Sequence, residues 1–263
     1  MKSRQGIVAG YNAQAVVSPL AADVAQVTGL LITAAEVVTD PEDHEQLVPM
    51  LEQAEEMTGK RAEVSLADGG FHSGANLAAC AERGQQVLMP ESQEQALKQP
   101  YHKERFSHDA ATDTYICPQG QRLRFVGIKQ RTRAAAPVRI YRGSGAICRR
   151  CPAFGQCTKD RRQGRALEIG PYEALLRSHR RLMATDEAKA RYRQRQEVVE
   201  PVFGILKDQQ GGRRFLLRGV VQVAAEWRLL ATAFNLRTLW RVWKARKGSK
   251  PWEPRILAGA IGT

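Results

Sequence analysis

The stretch RAEVSLADGGFHSGANLAACAERGQQVLMP, residues 61–90, reads as strand, glycine turn, helix and strand in immediate succession. Residues 61–70 carry a short apolar run that stops at Asp68-Gly69-Gly70, and a glycine pair is a usual end to a strand. HSGANLAACAERG then sets Leu77, Cys80 and Ala81 at helical spacing and closes at Gly84, the residue type most at ease after a helix C-terminus. QQVLMP is a second strand. In this pattern Cys80 is a small core residue.

Reading outward extends the alternation. GIVAGYNAQAVV (6–17) and VTGLLITAAEVV (27–38) are strands rich in β-branched and apolar residues. TDPEDHEQLVPMLEQAEEMTGK (39–60) predicts a helix capped by Asp40, with Pro41 in its first turn, Leu47, Met50, Leu51 and Ala54 on one face, and Gly59 at its end. The order β-β-α-β-α-β calls for an α/β fold, a mixed sheet flanked by helices, over residues 1–100. Residues 101–170 change character. They are rich in Gly, Pro, Cys and Arg, with short strand-like runs TYICPQG, RLRFVGI and VRIYR, and suit a small inserted β module. Residues 171–246 turn helical: RLMATDEAKARYRQRQEVVEPVFGILKDQQ is one region, with Pro201 a kink or break, and VVQVAAEWRLLATAFNLRTLWRVWKAR another. Trp227, Phe234 and Trp240 recur at helical spacing and read as core. Residues 247–263 read as a tail.

With 263 residues the chain can bury a substantial core. Apolar residues make up 43% and charged residues 25%, which argues against wholesale disorder. No apolar run approaches the roughly 18 residues of a membrane-spanning helix. The opening MKSRQGIVAGYNAQ has no secretory pattern, so a cytoplasmic location is expected. Charge is segregated: residues 1–120 carry net −9 and residues 121–263 net +22. Only seven of the 32 basic residues in the second part are Lys. Arg's planar fork suits phosphates and base edges, which favours nucleic acid as partner over a solvated basic face.

Four cysteines lie in the basic part, Cys117, Cys148, Cys151 and Cys157, spaced C-x30-C-x2-C-x5-C. Two close pairs brought together across a hairpin can offer four thiolates to a tetrahedral zinc ion. Free, reduced thiols fit the same pattern, and disulfides are disfavoured in a chain without an export signal.

Two segments hold candidate chemistry. In LADGGFHS (66–73) Asp68 stands at a strand's C-terminal end before two glycines, where α/β sheets place ligands. Asp-Gly-Gly is equally ordinary turn chemistry. In RYRQRQEVVEPVFGILK (191–207), positions 196, 200, 203 and 207 share a face if a helix runs through Pro201. Glu200 sits between Val198-Val199 and Val202-Phe203. A carboxylate in that setting needs a metal or Lys207 as partner, unless the pair is simply a surface Glu–Lys contact.

GYNAQAVV (10–17), DPEDHEQLVPMLEQ (40–53), ADGGFHSGANL (67–77), the Cys module, and VVEPVFGILK with GGRRFLLRGVVQVAAEWRLLATAFNLRTL (198–239) together resemble bacterial insertion-sequence transposases of the acidic-triad (DDE) type, in the branch with a Cys-containing insert. The resemblance runs through nearly the whole chain in order. It implies an RNase H-like fold whose acids hold two Mg2+ (or Mn2+) ions for strand cleavage and transfer on double-stranded DNA. Asp68 matches the family's second acid, Glu200 its third, and Lys207 the Lys that follows. Arg195, Lys207, Arg213, Arg214 and Arg218 are then candidates to hold phosphates, and His72 is a bystander, because metal-activated water needs no separate base. A homo-oligomer is implied for the complete enzyme, in a bacterial cytoplasm at the nucleoid.

The chain departs from the family in ways that matter. The family's first Asp lies ahead of the GYNAQ segment, where this sequence has no acid. Asp23 and Asp40 stand elsewhere in the pattern and are poor substitutes. The N-terminal DNA-binding region is missing, and of the Tyr–Arg lead-in to the Glu, Tyr192 and Arg195 are present but the expected interval lands on Gln196. The chain therefore reads as a C-terminal piece of a transposase, expected to be inactive alone. A non-catalytic DNA-binding or regulatory protein is the competing expectation.

Overall fold

A computed structural model describes residues 10–20, 29–40, 43–91, 97–130, 132 and 136–245, with the backbone of 2–3, 6–7 and 260–262. In chain order the elements begin with β1 Lys2–Ser3, β2 Gly6–Ile7, β3 Asn12–Pro19, β4 Leu30–Val38, α1 Leu47–Thr58, β5 Val64–Leu66, α2 Gly74–Glu82 and β6 Gln86–Leu88. Next come β7 Ser107–Asp109, β8 Thr114–Ile116, β9 Arg122–Lys129, β10 Val138–Arg142, α3 Gly145–Arg149 and β11 Ala166–Ile169. The rest are α4 Glu173–Met183, α5 Asp186–Gly204, α6 Val220–Ala245 and β12 Ala260–Gly262. The chain divides into two compact units, one of Met1–Pro90 with Arg181–Thr263 and the other of Glu91–Arg180.

The first unit is built on a mixed sheet in the order β4-β3-β12-β5-β6. β3 and β4 pair antiparallel, and β5 and β6 parallel. The join between these ribbons is β12, antiparallel to β3 with Ala260 opposite Val17, and parallel to β5 with Ala260 opposite Leu66. Of the stretch expected to be a tail, the described residues thus form the sheet's central strand.

Ala15, Val17, Ile32, Ala35 and Val37 of the sheet pack on Val199, Val202, Phe203 and Leu206 and on Val223, Trp227, Ala231 and Phe234. Full burial of each large apolar side chain contributes about 1.5–3 kcal/mol. The Trp227 indole N–H donates to Gln14 O at 2.8 Å, so this buried ring leaves no donor unsatisfied. β4 is an edge strand, and Asn235 of α6 meets its exposed backbone, accepting from Ile32 N and donating to Ile32 O, each at 2.8 Å.

Several local expectations need correction. The 3-10 turn His44–Gln46 precedes α1, which starts at Leu47 rather than near Asp40; Pro41 lies outside the described residues. Gly59 ends α1 at φ +66°, as its sequence position demands. The helical region after residue 171 breaks at Ala184-Thr185, not at Pro201, because Thr185 Oγ1 caps the Ala188 N–H and Asp186 and Glu187 favour a new N-terminus. Pro201 stays inside α5, and the helix then loosens into a π-turn, Ile205–Gln209. Trp227 and Phe234 are core, but Trp240 is 60% exposed and stacks on Trp243 at 4.9 Å, on the face of α6 turned away from the sheet.

The second unit is a five-stranded antiparallel sheet, β11-β10-β9-β8-β7, over a small core of Phe106, Tyr115, Leu123, Tyr141, Leu167 and Ile169. Asp113 turns the β7–β8 hairpin at φ +46° and accepts from Tyr141 Oη at 2.7 Å. That bond, the largest influence on it, holds the Asp113 carboxyl below its ordinary value.

Candidate active site

β5 ends at Leu66, and the buried Ala67 ties the chain to the next strand by donating its N–H to Leu88 O at 3.0 Å. Asp68 follows in extended backbone and caps the 3-10 turn Gly69–Phe71. Phe71 is fully buried and fixes that turn, while Ser73 Oγ accepts from Asn76 N and starts α2. Both readings of Asp68 meet here: it is a turn residue, and its carboxylate is left half exposed at the strand's C-terminal end.

α5 reaches this carboxylate. Arg195 Nη2 donates to Asp68 Oδ2 at 3.0 Å, with the Arg side chain 14% exposed. Tyr192 lies one turn earlier, and burial raises its phenol above the ordinary value, with the Arg195 charge opposing. Glu200 is exposed. Five residues beyond Arg195, it lies about 140° further round the helix. The burial penalty that its apolar sequence neighbours suggested does not arise. Of the four positions expected on one face, Gln196, Glu200 and Lys207 are exposed, whereas Phe203 is buried in the core. The Lys207 ammonium sits 5.1 Å over the Phe203 ring.

Asp43 is an acid that the sequence reading passed over. Its Oδ1 accepts from Asn12 Nδ2 at 2.5 Å and from Gln14 Nε2 at 2.9 Å, both on β3. Gly70 lies against its other oxygen: a Cβ there would stand 2.7 Å from Asp43 Oδ2. A second carboxylate thus packs onto the Asp68 turn, in the space a side chain at Gly70 would take. Gln14 is fully buried, and its Oε1 has no hydrogen-bond partner. Asp40 is exposed, and Asp23 lies outside the described residues.

Arg213, Arg214 and Arg218 occupy a pinned loop. Gly212 N donates to Leu206 O at 2.9 Å, and a Cβ on Gly212 would stand 2.7 Å from that oxygen. Glu226 accepts from Leu216 N and Leu217 N, and Gly219 N donates to Tyr11 Oη at 2.8 Å. Between these anchors Arg213, Arg214 and Arg218 are exposed, Arg213 pairing with Asp208 at 2.5 Å.

In the second unit Cys117, Cys148, Cys151 and Cys157 are all free thiols, and burial pushes the Cys157 thiol up. Among the described residues, no three His, Cys, Asp or Glu groups stand together at metal-holding distances. No helix of the described residues is long and apolar enough to cross a membrane.

Residues 116–240 match a family model described as a transposase DDE domain. The match includes Glu200 and the basic loop and lies wholly C-terminal to Asp68. No curated protein and no solved structure matches the chain.

Proposed function

We propose, for a chain whose residues 116–240 match a transposase DDE domain, that its first unit is RNase H-like and engages duplex DNA with Asp68 and Glu200 as its acidic residues. The observation that carries this reading is the Arg195–Asp68 contact, which brings the helix of Glu200 to the C-terminal end of β5. The sheet order supports it, with one central strand between an antiparallel and a parallel ribbon.

Carboxylates are the donors a hard divalent cation prefers, so Asp68 and Glu200 suit Mg2+ or Mn2+. Such ions, when bound, polarise the phosphodiester and activate the attacking oxygen. Lys207, Arg213, Arg214 and Arg218 hold phosphates, and Arg195 sets the Asp68 carboxylate. A site with two acids attracts cations less than one with three. The chain by itself therefore binds DNA without cutting it. Copies of the chain assemble on transposon ends in the bacterial cytoplasm, at the nucleoid.

The ion pair on Asp68 favours a second reading, a DNA-binding regulatory protein derived from a transposase. The experiment is a gel-shift series in rising salt, run beside plasmid nicking with Mg2+ or Mn2+ for the native chain, Asp68→Asn and Glu200→Gln. Salt-sensitive binding that strengthens with the cation and loses that gain in both variants supports metal-holding acids. Binding indifferent to cation and variants supports the regulatory reading. Cleavage by the native chain that disappears in both variants makes it a competent nuclease and overturns its inactivity. Absence of binding overturns the DNA assignment.

A further inference from the structure

The small core of the second unit leaves its loops in need of another tie. Chains with few core residues commonly gain stability from a metal or disulfides. The second unit contains a suitable set of side chains. Cys117, Cys148, Cys151 and Cys157 all line one narrow cavity of about 30 Å³, together with Arg165 and Phe154. They reach it from three places: the β8–β9 turn, the short helix α3 with the turn after it, and the loop before β11.

Backbone hydrogen bonds and close glycines fix the positions of three of these sulfurs. After Cys117 the chain reverses at Gly120, φ +74°, whose N–H donates to Cys117 O at 2.8 Å. The next N–H, of Gln121, donates to the Cys117 sulfur at 3.3 Å and fixes where that sulfur sits. Cys148 and Cys151 are held one turn apart by Cys151 N donating to Cys148 O. Two glycines crowd Cys148: a Cβ on Gly143 or Gly164 would stand 3.3 or 3.0 Å from its sulfur. Cys117 and Cys157 also pack on the unit's apolar core.

An independent feature lies in the same cavity wall. Arg165 donates from Nη1 to Cys157 O and from Nη2 to Tyr101 O, each at 3.0 Å, but its buried Nε–H has no partner. A buried, unsatisfied donor on a guanidinium costs free energy unless an anion completes it.

We propose that these four cysteines bind one zinc ion as a tetrathiolate that ties together the loops of the second unit. Four sulfurs and Zn2+ carry net −2, which the Arg165 guanidinium partly neutralises. The thiols share the cavity but do not yet stand at ligand separation. Loading draws them to about 2.3 Å from the ion. The role is structural, because four protein ligands leave no open position for water or substrate. This assignment rests on the thiols alone and stands whether or not the first unit cuts DNA.

The test uses the full chain purified under reducing conditions. Expected are one zinc per chain by elemental analysis and, after exchange into Co2+, the intense thiolate-to-cobalt charge-transfer absorption of a tetrahedral site. Cys117→Ser and Cys151→Ser abolish both signals, whereas Cys80→Ser, in the other unit, keeps them. Should the serine variants fail to fold, the cobalt spectrum of the native chain still decides. A native chain that takes up no Co2+ while all four thiols react with a thiol reagent overturns the proposal. So does recovery of the four cysteines as two disulfides.

Discussion

Arg195 on α5 donates to Asp68 at 3.0 Å, although 127 positions separate the two in sequence. The hydrogen bond joins a strand end to a helix that enters the chain only after the second unit is complete. It also gives the candidate acid a cationic neighbour that any metal ion must displace or share. Replacing Arg195 by Gln should therefore raise Mn2+ affinity about tenfold, equivalent to roughly 1.4 kcal/mol. Titration of the purified chain followed by Mn2+ paramagnetic resonance checks this, and unchanged affinity would deny that the guanidinium guards Asp68.

The loop 211–219 makes a quantitative prediction about salt. Neutralising one phosphate fewer makes the slope of log K against log salt shallower by about 0.9. Arg214→Ala and Arg218→Ala should each approach that value. Arg213→Ala should fall short, because its guanidinium already pairs with Asp208. Fluorescence anisotropy on a short duplex at several salt concentrations measures all three.

Asp43→Asn removes the charge from two hydrogen bonds made by β3 side chains. Bonds to a charged group are worth about 1.5–3 kcal/mol, so the variant should unfold at a lower urea midpoint. If Asp43 also attracts the cation, Mn2+ affinity falls with it. The same carboxylate should be displaced by Gly70→Ala, whose new methyl would meet Oδ2 at 2.7 Å.

The two tryptophan environments of α6 should separate cleanly. Trp227→Ala opens a cavity in the core and should cost about 3–5 kcal/mol. Trp240→Ser combined with Trp243→Ser removes an exposed stack and should leave the unfolding midpoint nearly unchanged. Chemical denaturation of the two variants is the comparison required.

Asn235→Ala strips the edge strand of the side chain that satisfies both backbone groups of Ile32. Stability should fall by about 2 kcal/mol, unless water replaces the amide. Faster hydrogen exchange at the Ile32 amide would locate the damage in β4.

The α/β alternation was legible because each element carries its own local signal: apolar runs for strands, periodicity for helices, and glycines at Gly59 and Gly84. Three features were not. Asp43 reads as one acid among several before a helix, and only its long-range partners Asn12 and Gln14 distinguish it. Trp240 groups with Trp227 and Phe234 by its spacing, but it lies on the face of α6 opposite Thr238 and Val242, which stay buried, Val242 against Leu20 and Leu31. Ala260–Gly262 is too short to display an alternation at all, and its place depends on the edges of β3 and β5. At the candidate site, the Asp68 motif was visible as local turn chemistry, whereas its pairing with Arg195 depends on how α5 packs.

The pairing of Ala260 with Val17 joins positions 243 residues apart. A ribosome adding about 5–20 residues per second finishes the β3–β4 ribbon, at Val38, roughly 11–44 s before that partner exists. Throughout that interval the ribbon's inner edge presents unpaired amides and carbonyls, the kind of template on which nascent chains associate wrongly. Yield in the cell should thus depend on translation speed and on chaperone capacity more than on the stability of the finished sheet.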